Sequence, residues 1–351
     1  MIKTGKAMML ASVEVVNPMN DPFSVSVVIP TYNRKMDLDR CLQSISDQKI
    51  LPRQVIVVDG GSIALDDLIS KWKARFAQQK TEFLYIKNQD ENSLTIERNM
   101  GMMRSTGNLV SFLDDDLVLD KNYYEEIINT FRQYPGANGV QGYNQSNHVP
   151  STPAEKLAHG YCRFFQVSSF FSKKGCKMLP SLCVTCPYPG TLEIQTCEWM
   201  SGASVYRRSI HKEITWDTSL KKNSWNEDWD FSYRVFKKFP GTLYMNPNAK
   251  YWHKGSPIGR NPRVEIIYAS EVYDLYLFFK NIDNPPKFFF IFIWSRIGRL
   301  FLNIALDSSH MSKVGITNAI LRIHALAYAF VHIGKIRRGN LEFFNMWLME
   351  Q

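Results

Sequence analysis

The sequence predicts an α/β protein: a mostly parallel sheet with helices on both faces, followed by a C-terminal helical extension. Three observations point there. Short runs such as VSVVIP (25–30) and QVIVVD (54–59) are apolar at almost every position, as in strands buried on both faces. They alternate with amphipathic segments of helical period. The strands end in polar or acidic loops, and in open sheets of this kind ligands bind outside the carboxyl ends of the strands.

The elements follow in order. Residues 1–23 read as a loose N-terminal extension. VSVVIP is a first strand, stopped by Pro30. In 35–48, Leu38, Cys41, Leu42 and Ile45 recur at helical spacing. QVIVVDGGS (54–62) is a second strand running into a turn, 64–79 a second helix and EFLYIKN (82–88) a third strand. A helix over 95–107 carries Gly107 near its C-terminus, and LVSFLDDD (109–116) is a fourth strand. Residues 121–135 form a helix. The segment 140–198, rich in Gly, Pro, Ser and Cys, has no assignable period. Helical pattern returns at 226–239 with an acidic first turn. GTLYMNPNAKYWHKG (241–255) reads as two short strands around a turn, and 264–280 as a helix. Two strongly apolar stretches follow at 288–306 and 316–334. The domain reading is an extension over 1–23, an α/β unit over 24–260 divided near 120, and a helical region over 261–351.

Composition narrows the classes. With 351 residues, 45% hydrophobic and 21% charged, the chain has ample core and is not disordered. Its net charge of +9 is uneven: 280–351 holds nine Lys/Arg against four Asp/Glu. A basic, apolar tail points to an anionic membrane surface. No nucleic-acid motif accompanies the charge, so nucleic acid is not expected. The start, MIKTGKAMMLASVEVV, has no proper signal-peptide core, so a cytoplasmic, reducing location with free cysteines is expected.

Asp114, Asp115 and Asp116 are three adjacent like charges at a strand end. Mutual repulsion makes such a cluster a place for a cation. Oxygen ligands suit a hard divalent ion, Mn²⁺ or Mg²⁺, which keeps positions open for substrate phosphates. A solvated acidic turn is the alternative.

The order of the surrounding pieces resembles the family-two inverting glycosyltransferases of the GT-A fold, over roughly 24–255. VSVVIPTYNR is similar to the family's opening strand and loop, VIVVDGGS to its second strand with a nucleotide-contacting Asp, and ERNMGMMRSTGNLVSFLDDD to its helix, strand and metal-binding D-x-D. WMSGASVYRR resembles an acceptor-side segment, NEDWDFSYR the acidic helix start that supplies a base, and NPNAKYWHKG a segment ending in a metal-ligating His. The resemblance implies metal ligation by Asp114, Asp116 and His253, and a general base at Asp228 supported by Glu227. It implies nucleotide contacts from Pro30, Tyr32, Arg34, Asp59, Arg98, Asp114 and Asp115, with Tyr32 stacking on the base and Arg98 pairing a phosphate oxygen. Trp225 and Trp229 are placed to shield the base or to floor an acceptor sugar. One departure stands out: the family often has two adjacent Asp residues where this chain has Asp59-Gly60, and the second commonly reads the pyrimidine edge. A UDP-sugar donor is expected, with thymidine and guanosine nucleotides left open.

The implied activity is transfer of a sugar from a nucleotide diphosphate to a glycan or lipid-linked acceptor in bacterial surface-polysaccharide synthesis. A processive synthase would carry Q-x-x-R-W, and the chain contains no Arg-Trp dipeptide. A nucleotidyltransferase needs a Gly-rich loop that PTYNRK lacks, and a non-catalytic sugar-nucleotide-binding or scaffold protein is the remaining alternative. Cys176, Cys183, Cys186 and Cys197 would offer four thiolates to a structural Zn²⁺, with free buried thiols as the alternative. Arg296, Arg299 and Arg322 interrupt the tail's apolar stretches. Amphipathic helices lying on the inner face of the cell membrane through 285–338 therefore fit better than spanning ones.

Overall fold

The computed structural model describes residues 22–350 apart from 90, 168, 189, 191–192 and 309–312. The expected N-terminal extension therefore falls, except for Pro22 and Phe23, outside the described residues.

The first half is strand and helix in turn: β1 (Val25–Thr31), α1 (Lys35–Ser46), β2 (Gln54–Asp59), α2 (Asp66–Gln78), β3 (Glu82–Lys87), α3 (Leu94–Met103) and β4 (Leu109–Leu113). These four strands run parallel in the order β3-β2-β1-β4. β1, β2 and β4 are buried along their whole length, which is why their sequences show no alternation of polar residues. Successive side chains still divide between two cores. Val27 and Ile29 pack with Leu42, Trp72 and Phe76 from α1 and α2, while Val28 packs with Met102 of α3. β3 lies at the sheet edge, with exposed Glu82 and Lys87 at its ends, a charge placement that discourages pairing with other chains.

The second half widens the sheet. After the triple Asp come β5 (Leu117–Leu119), α4 (Tyr123–Gln133), β6 (Gly139–Asn144), α5 (Pro153–Phe165), the short β7 (Phe170–Phe171), β8 (Thr185–Cys186) and β9 (Gln195–Thr196), then β10 (Ala203–Arg207). β10 enters antiparallel between β4 and β6. α5 is the helix within the segment that showed no period. Thr152 and Glu155 form a reciprocal capping box there, with Pro153 in the first turn.

α6 (Glu227–Lys238) leads to β11 (Leu243–His253), then α7 (Arg263–Asn281) and the tail helices α8 (Pro285–Ser308), α9 (Lys313–Val331), α10 (Ile333–Arg337) and α11 (Glu342–Glu350). β11 corrects the expectation of two strands around a turn. It is one strand with a register shift against β6 between Met245 and Lys250. Pro247 lies in that stretch and lacks the N–H a ladder needs, so the pairing skips and resumes. The strand then continues to pair with β5 and carries His253 back beside the triple Asp.

The tail helices are part of the folded body. Phe292 of α8, Ala329 of α9 and Phe344 and Leu348 of α11 are buried in the same core as Tyr273 and Phe278 of α7. Arg296 and Arg299, which interrupt the apolar stretch, turn inward: both pair with Asp274 of α7, Arg299 at 2.6 Å. An ion pair held to the neighbouring helix explains why two arginines can sit in an apolar stretch.

Candidate active site

The carboxyl ends of β1 and β4 open into a cavity of 290 Å³ lined by Pro30, Tyr32, Arg34, Asp114, Asp115, Asp116, Glu227 and His253. Eight of the eleven residues expected to hold metal or nucleotide or to act as the base thus share one wall system. Three others stand apart from it. Asp59 is buried, and its carboxylate accepts from Tyr85 Oη at 2.7 Å, Lys87 Nζ at 2.8 Å and the Gly61 amide at 2.8 Å. Arg98 lies behind the wall and is fully buried. Asp228 follows Glu227 without lining the cavity.

The three aspartates have three different environments. Asp114 reaches Arg98 Nη2 at 2.7 Å. Asp115 turns the other way, to the Thr31 hydroxyl at 2.7 Å and Arg34 Nη1 at 3.0 Å. Burial pushes its pKa up to about 6 despite Arg34. Asp116 Oδ2 accepts the Ser256 amide at 2.9 Å. Its Oδ1 is buried 3.1 Å from His253 Nε2 without satisfying hydrogen-bond geometry. Burial opposes ionisation, but contact with His253 and the Ser256 amide holds Asp116 at about 2. The Asp116 carboxylate in turn raises the pKa of His253.

One ligand atom each from Asp114, Asp116 and His253 lies within 4.8 Å of the other two. Two carboxylates and an imidazole, with a buried carboxylate oxygen left unsatisfied, suit Mn²⁺ or Mg²⁺. The cysteines do not make a second centre. Among the described residues the acidic triad is the one such cluster, and Cys176, Cys183, Cys186 and Cys197 are free thiols whose sulfurs do not converge. Burial pushes Cys183, Cys186 and Cys197 up to about 12, where thiols stay protonated. The zinc site considered from the C-x-x-C spacing is therefore not formed.

Arg98 joins the two acidic elements. Its Nη1 lies 3.0 Å from Glu227 Oε1 at the start of α6, while Nη2 holds Asp114 at the end of β4. The Trp216 ring lies 4.4 Å from the guanidinium carbon. These contacts commit the Arg98 guanidinium, which was expected to pair a phosphate oxygen, to Asp114 and Glu227 instead. Asp228 Oδ1 accepts the Trp229 amide at 2.8 Å. Burial and the adjacent Glu227 raise the Asp228 pKa well above the carboxylate range, against the pull of Arg98. Glu227 is raised too, by burial first.

Sequence reading missed several cavity residues: Asn92, Glu97, Lys221, Asn223 and Arg260. Polar residues in loops carry no periodic signal. Glu97 was visible as a neighbour of Arg98, but its direction required the fold. Trp225 lines the cavity as well, and its Nε1 donates to Asp274 at 3.0 Å.

Residues 26–184 match the sequence model of the family described as Glycosyl transferase family 2. Glycosyltransferase GlyA of Streptococcus pneumoniae serotype 4 is 30% identical over 123 residues, 35% of this chain and 17% of GlyA. The uncharacterized glycosyltransferase YwdF of Bacillus subtilis is 25% identical over 219 residues, 61% of this chain and 69% of YwdF. The chain thus spans less than a fifth of the first relative and about two thirds of the second. Among solved structures, residues 1–349 of S. aureus TarS in complex with UDP-GlcNAc align with a TM-score of 0.56 at 16% identity, over 91% of this chain and 88% of that one. That is a likeness of fold.

Proposed function

We propose that this chain, whose residues 26–184 match the family-two glycosyltransferases, transfers a sugar with inversion from a nucleotide diphosphate to a glycan or lipid-linked acceptor. The observation that carries the reading is the convergence of Asp114, Asp116 and His253 in a cavity that also receives Glu227. A UDP-sugar is the donor this reading favours, given the fold shared with the UDP-GlcNAc-bound TarS. The bacterial glycosyltransferases among the relatives support a role in cell-surface polysaccharide synthesis.

Asp114, Asp116 and His253 would hold Mn²⁺ or Mg²⁺. Such an ion neutralises charge developing on the leaving diphosphate. The chain's own residues do the rest. Asp228 accepts the proton of the acceptor hydroxyl as that oxygen bonds to the anomeric carbon and the bond to the diphosphate breaks. Attack opposite the leaving group inverts the centre, by the logic that separates inverting from retaining glycosidases. Glu227, clamped by Arg98, stands beside Asp228 and helps to raise its pKa, which strengthens it as a base. Arg34 and Thr31 fix Asp115 and with it the loop that carries its two neighbours.

The reading extends to location. α8 and α9 turn Phe290, Phe301, Ile316 and Val331 outward, each 59–79% exposed. Pro285–Leu306 is long and apolar enough to cross a membrane by length and composition. Its arginines, however, are tied to Asp274 on α7, which favours a helix lying on the inner face of the cell membrane with its apolar side down. A nucleotide-release assay across sugar nucleotides, with and without Mn²⁺, tests the activity. Metal-dependent release that needs an acceptor is expected; no release with any donor would refute the reading.

A further inference from the structure

The loop after β2 has an unusual neighbour. Asp59 is followed by Gly60, and a Cβ built on Gly60 would stand 2.0 Å from Glu97 Oε1 and 3.1 Å from Asn92 Oδ1. A side chain at position 60 and the Glu97 carboxyl therefore compete for one space. Glu97 is 2% exposed, yet it and Asn92 line the cavity together with Pro30 and Tyr32. Its neighbour Arg98 leaves α3 in another direction, toward Asp114 and Glu227. Asn88 Nδ2 donates to Glu97 Oε1 over 3.4 Å, a long bond that leaves the carboxyl capacity for a ligand. No step of the sugar transfer uses this acid.

Position in the sheet supplies a role for it. The acidic triad stands at the end of β4, and β2 lies on the far side of β1 from β4. A nucleoside diphosphate with its phosphates at the triad and its sugar toward Glu227 extends its nucleoside toward β1 and β2. The wall there holds Glu97 and Asn92, whose Oε1 and Oδ1 lie beside Gly60. We propose that Glu97 reads the nucleobase of the donor, its carboxyl pairing the edge of a uracil-type base that carries an N–H beside a carbonyl, and that Gly60 leaves it the room. The inference rests on the donor reading above and names the specificity residue of that site. Burial first, with Asp59 and Asp115 adding to it, pushes the Glu97 pKa up to about 8. At neutral pH the side chain thus carries one O–H donor and one acceptor, matching the carbonyl and N–H of such an edge.

Calorimetry with UDP, CDP, GDP, ADP and inorganic pyrophosphate in Mn²⁺ tests it on the wild type, Glu97→Ala, Glu97→Gln and Gly60→Ala. The wild type should prefer UDP. Glu97→Ala should weaken UDP by about tenfold or more and leave pyrophosphate unchanged. Gly60→Ala should do the same by displacing the carboxyl, and the double variant should be no worse than either. Glu97→Gln, which keeps shape and an acceptor, should retain part of the preference. An unchanged UDP preference in Glu97→Ala and Gly60→Ala would overturn the assignment, as would an equal loss of pyrophosphate or a wild type that prefers another base. A wild type that binds neither nucleoside diphosphates nor pyrophosphate would instead defeat the donor reading, and this inference with it.

Discussion

Arg98 Nη1 stands 3.0 Å from Glu227 Oε1, and the arginine is wholly buried between the end of β4 and the start of α6. The pair ties these two acidic elements together behind the cavity wall. Removing the arginine would leave Glu227, Asp228 and Asp114 near one another without the cation that joins them. Losing one partner of a buried pair typically costs about 3–5 kcal/mol. Arg98→Met should therefore lower folding stability by about that amount in urea melts. Arg98→Lys should recover only part, because one ammonium cannot fork to two carboxylates as a guanidinium does.

The metal reading predicts unequal effects from three neighbouring aspartates. Asp114→Asn, Asp116→Asn and His253→Ala should each weaken Mn²⁺ binding by about tenfold or more, measured by calorimetry. Asp115→Asn should spare metal affinity, since Asp115 is committed to Thr31 and Arg34. Affinity should also climb with pH. Asp116 raises the His253 pKa above its ordinary 6.5, so below that range a metal must displace a proton from the ring.

How far the sequence could be read follows from where each signal lives. The strands β1, β2 and β4 announced themselves because burial on both faces demands continuous apolar runs. Asp116 and His253 could be paired only through an ordered motif, since nothing local tells that β5 and β11 bring them to 3.1 Å. The continuous β11 was misread because Pro247 usually ends a strand, and here it falls in a register shift. The direction of Arg296 and Arg299 was hidden for a related reason: hydropathy counts charges but does not show that Asp274 waits on the next helix.

Two adjacent acids at the start of α6 predict a separable pair of phenotypes. Asp228→Asn should lower kcat by about a hundredfold or more while donor affinity persists. Glu227→Gln should keep more activity but lower the pKa of the acidic limb of the pH–rate profile, because it removes the charge that raises Asp228. In the wild type that limb should lie above the usual carboxylate range. Loss in Glu227→Gln with retention in Asp228→Asn would exchange the two roles.

Glu97 predicts a pH dependence of folding. Its pKa rises from 4.5 to about 8 in the folded chain, chiefly through burial. Between those values the folded state holds a proton that the unfolded state has released, so this group's contribution to stability falls as pH rises. The melting temperature of the wild type relative to Glu97→Gln should drop steadily from pH 5 to about 8. A constant difference would mean that Glu97 does not titrate in that window.

The tail allows a test that separates packing from membrane contact. Deleting 285–351 would strip Phe292, Phe344 and Leu348 from the core around α7, so loss of function would report unfolding. Point changes on the outward face avoid this. Phe290, Phe301 and Ile316 are 77%, 59% and 63% exposed, and replacing all three with Ser should leave the melting temperature nearly unchanged. It should release the protein from anionic vesicles, because each buried side chain of this size contributes about 1.5–3 kcal/mol. Arg299→Ala should behave oppositely. Its guanidinium pairs with Asp274 and stacks 5.2 Å from Trp225, a cavity residue, so it should cost stability and turnover while vesicle binding stays. Equal vesicle binding by the wild type and the triple Ser variant would mean that this face rests on something other than lipid.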